Sequence, residues 1–269
     1  MSDFVGGLAS RQVAALRVIL VSYPLGMLGL GVAAAIAGGH ITTAALLWGG
    51  LCGIAQGLGV WWFYAALAAG PISVVSPLTA ILAAGVPLGV GIALGERPGP
   101  IAGVGAALAL VAVVLVSREA TDEDVRPHRF TAKVALLTLG AGLAFGLNFV
   151  MIAQAPAESR LWPLFFGRIA ATLLVVVAAA LTGDLHPPRG ASLRLAVLAA
   201  VLDIGANVTM LWALQGSMLS LSSVLMSLYP AATVLLAVVV LRERVTRWQG
   251  VGMVAALAAI TLISGSGVH

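Results

Sequence analysis

Apolar residues run along this chain in blocks long enough to cross a bilayer, separated by brief punctuation of glycine, proline and charge. A helix needs roughly 20 mostly apolar residues to cross a hydrocarbon core of about 30 Å, and in lipid only helices and closed barrels satisfy every backbone polar group. Nine runs fit, at 13–36, 44–68, 72–94, 101–116, 134–154, 161–181, 193–214, 219–240 and 251–263. The connections Gly38-Gly39-His40, Gly70-Pro71, Glu96-Arg97-Pro98-Gly99-Pro100, Pro187-Pro188 and Gly216-Ser217 carry tight-turn chemistry. Residues 118–130 form the substantial polar loop, near the midpoint. The pattern predicts an all-α polytopic membrane protein.

One motif recurs. Gly95-Glu96-Arg97 is followed by Gly103-Val104-Gly105 and an apolar run, and Arg242-Glu243-Arg244 by Gly250-Val251-Gly252 and another. In both copies the Glu precedes Gly-Val-Gly by seven residues. Weak internal symmetry in a polytopic chain characterises secondary transporters, whose substrate site lies between the repeats.

Composition narrows the class further. With 9% charged residues, a mean hydropathy of +1.08 and 32 glycines, the chain lacks the quarter or so of charged residues that a soluble domain carries. Its net charge of +4 is scattered between apolar runs, so no basic face exists to track nucleic-acid phosphates. Cys52 is the only cysteine, which excludes a disulfide framework, and His40, His128, His186 and His269 fall in or near loops. No metal or cofactor is expected. The N-terminal segment lacks the pattern of a cleavable signal peptide, so insertion is expected to rely on the spans themselves.

Alternating the loops gathers Arg11, Arg17, Arg118, Arg126, Arg129, Lys133, Arg189, Arg194, Arg242, Arg244 and Arg247 on one side, against Arg97 and Arg160 on the other. The positive-inside rule puts the first side, with the N-terminus, in the cytoplasm. Glycines four apart, Gly49, Gly53 and Gly57, Gly85 and Gly89, Gly142 and Gly146, are expected to let helices approach closely. Trp48, Trp162 and Trp212 mark one interface and Trp61, Trp62 and Trp248 the other.

A charge well inside a span costs on the order of +3 kcal/mol, so each needs a partner or a task. Asp203 and Arg168 stand out, at comparable depth on adjacent antiparallel runs, where an ion pair is geometrically reasonable. Such a pair either pins two helices or works in transport: Asp203 titrates or gates, and Arg168 pairs with it or binds a substrate carboxylate. Asn207 shares a face with Asp203, one turn on. The repeat distance sets Gln56 opposite Asp203. Asn148 adds an amide, and Ser222, Ser223 and Tyr229 add hydroxyls.

The order of the helices, the Gly95-Glu96-Arg97 turn and its counterpart, Ser227-Leu228-Tyr229-Pro230 before that counterpart, and Phe63-Tyr64-Ala65-Ala66-Leu67 followed by Gly70-Pro71-Ile72-Ser73-Val74-Val75 together resemble the EamA-type branch of the drug/metabolite transporter superfamily. The resemblance covers nearly the whole chain. It implies a ten-helix fold of two inverted five-helix repeats around a central cavity, with export or exchange of small metabolites. The first repeat would occupy residues 1–117, the joining loop 118–131 and the second repeat 132–269. Two features depart from the pattern. The opening Asp3 to Arg11 resembles the end of the family's first helix but is too short to span, which implies either a start further upstream or a nine-helix variant. Ala83 stands at the counterpart of Pro230, with Pro77 and Pro87 on the same helix instead. The resemblance also places both termini in the cytoplasm for ten spans, whereas the charge asymmetry, eleven against two, sends the C-terminus of a nine-span chain outside. Trp61 and Tyr64 lie on a helix that resembles a cavity-lining one, as an aromatic wall for substrate.

The reading is a secondary transporter of a small metabolite such as an amino acid, acting as exporter or exchanger by alternating access, with the proton as candidate coupling ion. The alternative is a non-transporting membrane scaffold or sensor on the same fold. No phosphate-binding loop suggests direct ATP use, and no Ser with His, paired acids or metal-ligand spacing within the spans suggests an enzyme. Richness in Ala, Gly, Val and Arg with a solitary Lys133 suggests a GC-rich bacterial genome and a plasma-membrane location.

Overall fold

The computed structural model describes residues 5, 9, 13, 15–70, 72–117, 131–183, 186–241 and 246–265. The apolar runs are helices: α1 (Ala15–Ala37), α2 (Thr43–Ala69), α3 (Ile72–Ala93), α4 (Pro100–Ser117), α5 (Ala132–Ala153), α6 (Trp162–Thr182), α7 (Ala191–Gly216), α8 (Leu219–Ser227), α9 (Tyr229–Leu241) and α10 (Arg247–Gly265). Among the described residues there is no strand. Seven of the helices are long and apolar enough to cross a membrane, and Pro100–Val116 is a shorter apolar one. Glycines close several of them where the chain must turn with positive φ. Gly38 follows α1 at φ 72°, and Gly183 caps α6 in the left-handed region with its amide on the carbonyls of Ala179 and Ala180.

The run expected as a single span at 219–240 is two helices, a correction with a local cause. Leu228 leaves helical geometry at φ −77°, ψ 2°. Its amide donates to the Leu225 carbonyl at 3.2 Å, and the Ala231 amide to the Leu228 carbonyl at 2.9 Å, so a three-residue spacing replaces the four-residue ladder. Pro230, which has no amide hydrogen, cannot donate to the carbonyl of Met226. Continuous hydropathy hid the break.

Helix bounds recur, to within one residue, at the 147-residue interval that separates Glu96 from Glu243. Helices α1, α2, α3 and α4 start at 15, 43, 72 and 100, and α6, α7, α8 and α10 at 162, 191, 219 and 247. Counterparts also pack on each other: α1 on α6, α3 on α8 and α4 on α10.

The chain divides into two units, Met1–Leu58 with Met151–Gln215, and Gly59–Val150 with Gly216–His269. In the first, α2 and α6 meet through backbone. A Cβ on Gly53 would lie 1.9 Å from the Gly167 carbonyl oxygen, and one on Gly49 2.3 Å from that of Pro163. Helices touching this closely require glycine, and without a hydrophobic drive between helices in lipid such packing is what holds them. Ala9 is buried with Val18 and Ala196. In the second unit, α4 presents Ala102, Ala106, Ala109 and Val113 to Ala256, Ala259 and Ile263 of α10 and to Leu221, Val224 and Leu228. Gly142 and Gly146 admit Leu82 and Val86 of α3, whereas Gly85 and Gly89 have no neighbour within 4 Å of an added Cβ. The expected close approach holds for the first pair and not for the second. The expected joining loop at 118–130, the Asp3 to Arg11 segment apart from Val5 and Ala9, and the turn at 242–245 lie outside the described residues.

Candidate functional site

The site begins with the glycine contact between α2 and α6. Gly167 faces α2, and the next residue, about 100° further round the helix, is Arg168, against α1 and α7. Its side chain is 2% exposed. Nη2 donates to Oδ2 of Asp203 on α7, closing the expected ion pair. The guanidinium carbon lies 4.7 Å from the centroid of the Tyr23 ring on α1, a cation–π contact. One turn along α1, a Cβ on Gly26 would sit 3.6 Å from Nε. Helices α1, α6 and α7 therefore wall in one arginine.

The arrangement is not fully saturated. Nη1 of Arg168 is buried and has no hydrogen-bond partner among the described residues. A guanidinium offers five donors in a planar fork suited to bidentate carboxylate recognition, and here Asp203 engages one arm. Asp203 keeps 30% of its side chain exposed, so the carboxylate is reachable while the cation is not. Removing a donor's partners in a buried place costs more than the hydrogen bond itself is worth.

Asn207 lies one turn from Asp203, as expected, but its amide Nδ2 donates to the Asp203 main-chain carbonyl at 2.8 Å rather than to the carboxylate. Thr172 does the same to the carbonyl of Arg168, at 2.6 Å. Both hydrogen bonds shore up the backbone beneath the ion pair. Gln56 is half-buried on α2 in this first unit.

Trp61, Tyr64 and Asn148 belong to the second unit. Trp61 and Tyr64 are exposed on α2, and the Phe63 ring between them lies 6.0 Å from that of Tyr64, tilted by 54°, and edge-on at 6.1 Å to Phe145. Asn148 is half-buried on α5. Tyr229 opens α9, and its side chain lies outside the described residues.

Sequence reasoning passed over Tyr23 and Gly26; the available signal was a tyrosine in mid-helix, with a glycine one turn on. It read Glu96 as a turn residue that either pairs locally or caps a helix end. The Glu96 carboxylate caps α8, accepting the amides of Leu219 at 2.6 Å and Ser220 at 2.8 Å. Negative charge at a helix N-terminus is favourable. Gly91 makes the room, since a Cβ there would lie 2.4 Å from Oε2.

Known proteins fall into line with this architecture. A solved crystal structure matches with a TM-score of 0.73, over 98% of this chain and 94% of its own, at 19% identity, a likeness of fold. Comparison with curated proteins gives no match. Residues 132–265 match the model of the EamA-like transporter family, a family of transporters rather than enzymes. Ten helices among the described residues, seven of them long and apolar enough to span, together with that match, make the chain a multi-pass membrane protein that belongs to the EamA-like transporter family of the drug/metabolite transporter superfamily.

Proposed function

We propose that this transporter moves a small metabolite bearing a carboxylate, such as an amino acid, outward or in exchange, with Arg168 and Asp203 as its binding and coupling element. The observation that carries the reading is the buried guanidinium with one arm on Asp203 and the other without a hydrogen-bond partner. A charge at that depth costs on the order of +3 kcal/mol by insertion scales, and a purely structural role would be served as well by an apolar contact. With the pair closed, the site carries no net charge. A substrate carboxylate competes with Asp203 for the planar fork; the released Asp203, partly exposed, then takes up a proton or holds a substrate ammonium. Substrate binding thereby brings a proton, or the substrate's own ammonium, onto the same pair of residues, which couples the two.

The 147-residue recurrence of helix bounds supports reading 1–117 and 132–269 as two inverted repeats that alternate in access around a midplane site. In that scheme Gln56 is the counterpart of Asp203, and Asn207 steadies it. The charge asymmetry supports a cytoplasmic N-terminus, and the richness in Ala, Gly, Val and Arg supports a bacterial plasma membrane. Equilibrium binding to the purified protein tests the core of this: a radiolabelled amino acid that binds wild type should lose at least tenfold in affinity in Arg168→Gln, while the corresponding amine without a carboxylate should be indifferent to the change. Equal affinity of the acid for both proteins would remove Arg168 from the site.

A further inference from the structure

The face built by α4 and α10 carries a groove of about 620 Å³. Leu108 of α4 and Gly250, Val254, Ala255 and Ala258 of α10 line it, and Arg247 is the charged residue of the lining. We propose that this groove binds an acyl chain of an anionic phospholipid, with the lipid phosphate on Arg247.

Four observations fit that occupant. The lining extends along α10 from Arg247 to Ala258, twelve residues spanning eleven rises of about 1.5 Å, or about 16 Å of helix. Half of a hydrocarbon core of about 30 Å is nearly the same length, so the groove has the depth of one leaflet, with charge at its outer end and methyl groups at the inner. Trp248, 58% exposed beside Arg247, is the residue type that settles at headgroup level, and it puts the mouth of the groove where phosphates are. Gly250, next to the mouth, has nothing within 4 Å of an added Cβ; the protein's own packing does not demand a glycine there, and its missing side chain keeps the groove open. Arg242 and Arg244 precede in the sequence, so the attraction is to negative charge, as for basic clusters beside cytoplasmic leaflets.

Native mass spectrometry of the full chain, purified in detergent and offered equimolar phosphatidylglycerol and phosphatidylcholine, tests this. The proposal expects retention of phosphatidylglycerol over phosphatidylcholine, about fivefold weaker in Arg247→Gln and lost in Gly250→Leu, which fills the groove. Arg194→Gln, exposed on α7 and not part of the groove lining, should retain the lipid as wild type does. Circular dichroism and a monodisperse elution profile establish that each variant is folded; Arg247→Gln alters an exposed side chain and keeps the test decisive if Gly250→Leu does not fold. Equal retention of both lipids, or no change in Arg247→Gln, overturns the proposal. So does a dimer that Gly250→Leu dissociates with lipid retention unaltered, which would give the face to a second copy of the chain.

Discussion

Removing the charge of Asp203 and removing that of Arg168 should not cost the same. In Asp203→Asn, a guanidinium that is 2% exposed stays behind without its counter-ion. Breaking a buried ion pair from one side typically costs about 3–5 kcal/mol, and the Tyr23 ring at 4.7 Å continues to stabilise the cation, so we expect the low end, about 3 kcal/mol. In Arg168→Gln the remaining carboxylate is 30% exposed and so less deeply buried than the guanidinium, for about half that cost. In the double variant no buried charge is left. Its cost should fall below that of Asp203→Asn alone, a coupling of about 2 kcal/mol or roughly thirtyfold in the unfolding equilibrium. Denaturation by titrated SDS in mixed micelles, followed by circular dichroism, reads all four proteins. Additive costs, or Arg168→Gln more damaging than Asp203→Asn, would refute the reasoning that the buried cation is the expensive member of the pair.

Other consequences follow from the same geometry. Gly53→Ala drives a methyl into the Gly167 carbonyl and should destabilise by about 3 kcal/mol, at the upper end for overpacking, whereas Gly85→Ala, with open space around it, should be neutral or better in the same SDS titration. Glu96→Ala should cost about 1–2 kcal/mol by uncapping α8, with Glu96→Gln recovering part of it; faster hydrogen exchange confined first to the Leu219 and Ser220 amides is the signature, and unchanged exchange there would dismiss the cap.

Much of this was readable from residue order because bilayer chemistry is strict. Each apolar run had to be a helix, and the 147-residue spacing of the two Glu residues forecast the spacing of the helices. Arg168 and Asp203 were legible as a pair since two charges at similar depth on neighbouring spans have few other places to go. Other features needed coordinates. Hydropathy is blind to a break such as Leu228, where backbone geometry changes within an apolar run. Asn207 looked like a companion for the carboxylate, yet its short amide side chain reaches the carbonyl one turn back more easily, a preference common to Asn, Ser and Thr in helices. Glu96 had many turn neighbours as possible partners, and its actual one lies 123 residues away. Tyr23 has no charge to announce it, and its role depends on a glycine one turn on.

The most direct test is uptake of a radiolabelled amino-acid panel into proteoliposomes under an imposed pH gradient, with wild type beside Asp203→Asn. The account predicts saturable, gradient-driven flux in wild type that loses its response to the gradient in the variant; flux that responds to the gradient equally in both proteins would contradict it.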